Sequence, residues 1–269
     1  MSAKLPIRMV AKPWGRAVLP PPFAAPPGDA IGEIWFEPPP ALAALLVKHI
    51  FTSEALSVQV HPSDAQTLAA GLGRQGKEEC WLVIAAEPGA RLGIGFREPL
   101  CAEAMRAAAR DGSIEHLLAW HPVAPGDFFY IPAGTVHAIG AGVGLIEVQQ
   151  NSDITYRLYD YGRPRELHLD AGIAVARGQP HDPALRRRVP AAGSTTLVEG
   201  PLFQLDRLDG PPDAATAARY AGAPLLVIPL KGSATVGGEP VDAGQCALAP
   251  SLDRVKVSGL CLIAQPLGR

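Results

Sequence analysis

Residues 126–137 read Gly126-Asp127-Phe128-Phe129-Tyr130-Ile131-Pro132-Ala133-Gly134-Thr135-Val136-His137. Gly126 and Pro132 are turn formers that enclose a short apolar and aromatic run, the signature of a strand with a defined start and stop. Gly134 adds a second turn, after which His137 opens the next strand. The spacing Gly-x5-Pro-x-Gly-x2-His thus ties a potential metal ligand to the turns that aim it. Further along, residues 244–250 read Gly-Gln-Cys-Ala-Leu-Ala-Pro, the same Gly-x5-Pro frame, but no histidine follows Pro250. Two related β-barrels, only the first of which keeps a ligand, account for both stretches.

The rest of the chain agrees with a mainly β fold. Glycine and proline, 28 each, cut the sequence into short pieces. Between them, 56–60, 80–85, 127–131, 144–149 and 155–159 are runs of Val, Leu, Ile, Phe and Tyr of strand length. One region differs: 98–120 carries Ala and charged residues, with Leu100, Ala104, Ile114, Leu117 and Leu118 at helical spacing. It reads as two short helices broken at Asp111-Gly112. A Pro- and Arg-rich stretch from about 178 to 193 separates this from a second β-rich segment with strand candidates at 225–230, 233–236, 246–248 and 261–264. The predicted organisation is a first unit over 1–178, a linker over 179–192 and a second unit over 193–269.

Bulk properties exclude several classes. Of 269 residues, 48% are hydrophobic and 19% charged, with a formal charge of −2, which is no basis for a nucleic-acid surface. The run Arg186-Arg187-Arg188, set among Pro180, Pro183 and Pro190, reads as part of a solvated linker. Residues 1–14 have no apolar core of the length a secretion signal needs, and the apolar stretch 42–47 is far too short to span a bilayer. Cys80, Cys101, Cys246 and Cys261 lack CxxC spacing and read as buried thiols, so the cytoplasm is the default compartment.

Candidate ligands gather in the first unit. Gln59 and His61 are two apart on a predicted strand and face the same side, while Val58 and Val60 face the other. Glu79 stands at the entry to the strand 80–85, and His137 follows the turn at Gly134. Two imidazoles, one carboxylate and one amide oxygen make a donor set suited to zinc, and one carboxylate leaves the site net positive. His49, His116, His121, His168 and His181 lack such a context and read as structural or surface residues.

The 126–137 motif is similar to the second conserved motif of the cupin superfamily, with the first motif altered to Gln59-x-His61. Leu56-Ser57-Val58-Gln59-Val60-His61-Pro62 and Gly76-Lys77-Glu78-Glu79-Cys80-Trp81 resemble the type I mannose-6-phosphate isomerases. The run from Glu147 through Asn151, Tyr156 and Arg157 to Asp160 is similar to their short bacterial form, and Pro164-Arg165-Glu166-Leu167-His168 continues it. Lys12-Pro13-Trp14-Gly15 and Gly32-Glu33-Ile34-Trp35 match that family's opening. The resemblance runs from about Lys12 to Ala176; beyond Gly193 it is one of architecture only. It implies a double cupin (jelly-roll) barrel with a helical insertion, and one zinc held by Gln59, His61, Glu79 and His137. It also implies a sugar-phosphate pocket around Ser57, Lys48, Lys77, Glu147 and Arg157. The activity implied is interconversion of mannose 6-phosphate and fructose 6-phosphate through an enediol. In this sequence Phe36 is followed almost at once by Glu37-Pro38-Pro39-Pro40, a shortening that bears on sugar size, and Gly162 stands where an Asp is common.

Within that chemistry, Arg157 offers a permanent forked cation to phosphate or a developing oxyanion. Glu147, near the barrel interior, is a candidate proton shuttle if burial raises its pKa; otherwise it orients a cation such as Arg157. Lys48 and Lys77 add positive charge or, without the resemblance, are strand-end lysines reaching water. Three other readings remain open on sequence: an isomerase or epimerase of another sugar, a non-haem iron oxygenase using the two imidazoles and the carboxylate, and a non-catalytic sugar-binding cupin.

Overall fold

The computed structural model describes residues 3–268. Met1 and Ser2, at the start of the stretch read as lacking a secretion signal, and Arg269, the end of the second expected unit, lie outside the described residues. The architecture is the expected mainly β one, a double barrel of cupin type with a helical insertion. Among the described residues no helix is long and apolar enough to cross a membrane.

The first barrel is two facing antiparallel sheets. One runs, in order, Arg186–Arg188, Asp127–Ile131, Glu79–Ala86, Val143–Gln150, Leu45–Phe51, Ile31–Phe36 and Ile7–Arg16. The other runs Tyr156–Tyr159, Val58–Val60, His137–Ile139, Arg91–Phe96 and Leu118–Pro122. Alternation along the strands decides what goes inside. In Glu79–Ala86, Trp81 and Val83 join the barrel interior with Leu145, Ile50, Ile94 and Ile139. Their neighbours Cys80 and Leu82 point the opposite way, as do Val47, Ile146 and Val148, and pack on Phe203, Leu226 and Leu262 of the second barrel. One sheet therefore serves two cores, and its inward parity is the one that carries Lys48, Glu79 and Glu147.

The outer face of the five-stranded sheet is covered by the insertion. Helix Ala102–Asp111 ends at Gly112 in the left-handed conformation, the predicted break, and Ile114–Leu117 follows. Met105, Ala108 and Ile114 cover Leu158 together with Val58 and Val60, the two residues predicted to face away from the ligands.

The second barrel is built on Leu225–Val236 and Val255–Pro266, with Phe203–Asp209, Thr195–Glu199, Glu239–Asp242 and Ala247–Ala249. The N-terminal pair Ala3–Lys4 joins this sheet beside Ala247–Ala249. Its own core is apolar, with Leu208, Tyr220, Val227, Val236 and Ile263.

Three details differ from the sequence reading. The strand predicted at 56–60 starts only at Val58. The strands predicted at 225–230 and 233–236 are one, bent by a bulge between Pro229 and Lys231. Gly232 at φ +78° lies so close to the opposite strand that a Cβ would stand 2.2 Å from Ser258 O, so glycine marks a bend rather than an end. Arg186–Arg188 is exposed but is an edge strand on Asp127–Ile131, not free linker: Arg188 pairs with Asp127, and Arg187 donates to the Leu197 carbonyl. Of the four thiols, Cys80, Cys246 and Cys261 are buried and Cys101 is exposed; all are free.

Candidate metal centre and cationic pocket

Gln59, His61, Glu79 and His137 come from three separate segments, with Gln59 and His61 on one of them, and the fold brings them together. Gln59 and His137 are direct cross-strand partners. The N–H of Gly134, at φ +85°, donates to the His61 carbonyl at 2.8 Å and so ties the turn before His137 to the end of the Gln59 strand. His61, Glu79 and His137 are all buried, and each offers a ligand atom within 4.8 Å of the others.

The hydrogen bonds settle which atoms are offered. His61 Nδ1 donates to the Ile154 carbonyl at 2.8 Å and His137 Nδ1 to the Thr135 carbonyl at 2.9 Å. A carbonyl can only accept, so both protons sit on Nδ1 and both Nε2 lone pairs face inward. His137 Nε2 lies 3.4 Å from Glu79 Oε1 and accepts from Gln59 Nε2 at 3.2 Å. Burial, with Lys77 nearby, lowers the pKa of His137 to about 4, and burial with Lys77 and His137 holds His61 well below its ordinary value. Both rings are thus neutral, the form that binds a cation. Glu79 Oε1 is fully buried and accepts no hydrogen bond. An orphaned carboxylate oxygen beside two inward imidazole lone pairs fits a divalent cation; without one it is a buried acceptor with nothing to bind.

Above these groups opens a cavity of about 430 Å³, lined by Ser57, Gln59, Lys48, Lys77, Glu147 and Arg157 among others. Its volume is in the range of small-ligand sites, roughly 300–1,000 Å³. Every predicted pocket residue therefore lies in one cavity. Lys48 and Lys77 are buried, 6% and 4% exposed, so the reading as strand-end lysines reaching water does not hold. Lys48 Nζ is 3.1 Å from Glu147 Oε1; Lys77 Nζ is 2.5 Å from Glu79 Oε2, 3.9 Å from Glu147 Oε1 and 3.1 Å from His61 Nε2.

These ion pairs reverse one expectation. Burial alone raises the pKa of Glu147, but Lys48 and Lys77 outweigh it and hold the carboxyl at about 2. Glu147 does not pair with Arg157, as one reading had it, but with the two lysines. Glu79 goes the other way: burial and the neighbouring Glu147 raise it to about 7. Lys77 would be lowered by burial, yet Glu147 and Glu79 raise it above its ordinary value. Arg157 is the direct cross-strand partner of Gln59, which puts its side chain on the ligand face, and no ion pair engages it among the described residues.

No family model matches the chain. Over 168 residues it is 43% identical to the mannose-6-phosphate isomerase of Streptococcus mutans serotype c, a match covering 59% of this chain and 52% of that one. Its sequence relatives are mannose-6-phosphate isomerases. The chain spans about half the length of the curated relatives it matches. The crystal structure of mannose 6-phosphate isomerase from Bacillus subtilis superposes with a TM-score of 0.79, covering 97% of this chain and 98% of that one at 24% identity, so the fold is shared throughout. A zinc-bound mannose 6-phosphate isomerase superposes with a TM-score of 0.70 at 16% identity, covering 99% of this chain and all of that one.

Three residues of the site were not singled out on sequence. Trp81 Nε1 donates to Glu147 Oε2 at 3.1 Å, and its ring meets His137 edge-on at 5.3 Å; its strand parity with Glu79 was the available signal. Trp35 lies under Lys48, with Nζ 4.5 Å from the ring centre, and donates to Glu33 Oε2 at 2.6 Å. His168, read as structural or surface, lines the cavity beside Arg157.

Proposed function

We propose that this protein is a zinc-dependent isomerase that interconverts mannose 6-phosphate and fructose 6-phosphate in the cytoplasm. The single zinc would lie in the first barrel, whose sheets run from Ile7–Arg16 to the edge strand Arg186–Arg188, and the second barrel, built on Leu225–Val236 and Val255–Pro266, would be metal-free. The observation that supports this most is the convergence of His61, Glu79 and His137 beneath a cavity lined by Lys48, Lys77 and Arg157, in a chain 43% identical over 168 residues to a mannose-6-phosphate isomerase.

His61 and His137 would hold the metal through Nε2, Glu79 through a carboxylate oxygen and Gln59 through its amide oxygen. Gln59 Oε1 now accepts from Ser57 Oγ at 3.2 Å. Turning the amide over gives the oxygen to the metal and lets Nε2 donate to Ser57 Oγ instead, so Ser57 steadies the amide in either orientation. When bound, zinc supplies Lewis-acid polarisation of a substrate oxygen.

The isomerisation removes a proton from C2 of the aldose and delivers one to C1, while the carbonyl moves from C1 to C2. The intermediate carries negative charge on oxygen. Lys77, a firm cation, and Arg157 are placed to stabilise that charge, usually the largest catalytic term. Arg157, whose side chain has no ion pair among the described residues, is also the anchor for phosphate. Glu147, ionised down to about pH 2, is a weak base between two ammonium groups. Its role is to fix Lys48 and Lys77 in place, and Trp81 holds it there.

A coupled assay for fructose 6-phosphate formed from mannose 6-phosphate tests the proposal. Product formation by zinc-loaded protein supports it, and absence of product from fully loaded protein overturns it. In Glu147→Gln protein, solvent deuterium should still enter the product at C1; loss of exchange with the metal and fold intact would return the shuttle role to Glu147.

A further inference from the structure

Strand Tyr156–Tyr159 forms the outer edge of its sheet, where backbone N–H and C=O groups lack a neighbouring strand. At Arg157 one residue satisfies both. The His168 N–H donates to the Arg157 carbonyl at 2.7 Å, and the Arg157 N–H donates to His168 Nδ1 at 3.2 Å. Because Nδ1 accepts, the neutral ring carries its proton on Nε2. The ring packs near Tyr156, centroids 6.0 Å apart, and lines the cavity together with Arg157 and Arg165. Nε2 is 4.0 Å from its carboxylate neighbour, the exposed Glu166, which is beyond hydrogen-bond reach. Capping the edge needs only the acceptor. The second nitrogen is left over as a donor of fixed tautomer, on a ring anchored to the backbone of Arg157, a cavity arginine with no ion pair among the described residues.

We propose that His168 is a substrate-binding residue whose Nε2–H donates to a phosphate oxygen of the sugar phosphate held by Arg157. This assignment rests on the isomerase function proposed above. It makes the turn from Arg157 to His168 one recognition unit: a forked cation and a neutral donor fixed to each other through the backbone.

Two variants separate this role from edge capping. In His168→Asn the amide oxygen stands where Nδ1 was and keeps the Arg157 N–H satisfied, but nothing reaches the Nε2 position. In His168→Gln the amide reaches the Nε2 position as a donor and the edge acceptor is lost. Zinc-loaded wild type and both variants would be assayed with mannose 6-phosphate, and with inorganic phosphate as a competing ligand. A hydrogen bond to a charged phosphate predicts that His168→Asn raises KM and weakens inhibition by phosphate, each about tenfold, with a smaller change in kcat. His168→Gln should keep both near wild type while lowering Tm. Unchanged KM and phosphate inhibition in His168→Asn, or the loss appearing in His168→Gln alone, would overturn the role while leaving the isomerase function standing. A zinc-loaded wild type inactive on mannose 6-phosphate would overturn the function and this role with it.

Discussion

Lys48 and Glu147 are direct cross-strand partners in adjacent strands, and Lys48 Nζ stands 3.1 Å from Glu147 Oε1 with both side chains buried. Lys77 stands 3.9 Å from the same oxygen, so one carboxylate faces two buried cations. Removing its charge leaves both without that counter-charge. Glu147→Gln should therefore cost stability, on the order of 3–5 kcal/mol near pH 7, read by denaturant unfolding. Because the folded pKa is about 2, below the ordinary 4.5, this contribution is complete above pH 4.5 and fades as pH falls through 2. A Glu147→Gln protein as stable as wild type at pH 7 would contradict the pairing.

Metal affinity should depend on pH through Glu79 rather than through the histidines. Burial and Glu147 raise the Glu79 pKa to about 7, whereas His137 is neutral down to about pH 4. Below pH 7 a proton competes for the carboxylate, so zinc affinity should fall about tenfold per pH unit from 7 towards 5 and level off above 7. Chelator competition measures this; a flat profile between pH 5 and 8 would count against Glu79 as a ligand.

Arg157 should act on catalysis without touching the metal. In Arg157→Ala, kcat should drop about 10²–10³-fold while zinc stoichiometry by elemental analysis stays at wild-type level. Arg157→Lys should recover little, because an ammonium cannot reproduce the forked geometry. Loss of zinc in Arg157→Ala would instead make Arg157 part of the metal centre's support.

Away from the site, His49 is buried against Phe23, Phe36 and Phe51 at 5.0, 5.7 and 6.0 Å between centroids, and neither ring nitrogen has a hydrogen bond. Burial lowers its pKa to about 4. The unfolded chain takes up the proton first, near pH 6.5, so stability is lost as pH falls from 6.5 to 4, by about 3 kcal/mol from this residue. His49→Leu should narrow the Tm difference between pH 8 and pH 4.5. An unchanged difference would mean that His49 does not titrate on unfolding.

The candidate ligands were legible in the sequence because local rules bring them to one face. Gln59 and His61 share a strand face, His137 is tied to its turn glycine, and alternation sends Val58 and Val60 to the helices of the insertion. What local rules could not supply was register between distant strands. Lys48 meets Glu147 across 99 positions of chain, and that meeting, not burial, decides the sign of the Glu147 shift. His168 was missed for a similar reason: its place follows from how the chain turns back from Asp160 to the Arg157 backbone. Likewise Arg186–Arg188 reads as linker from charge and proline alone, since nothing local reveals the open sheet edge it occupies.

The most direct test of the central claim is to strip the protein with chelator, restore zinc in steps, and follow isomerisation of mannose 6-phosphate against bound zinc. The structure predicts activity that vanishes on stripping, returns in proportion to zinc and saturates at one ion per chain, with His137→Ala binding none and staying inactive. Full activity in zinc-free protein, or in His137→Ala, would contradict it.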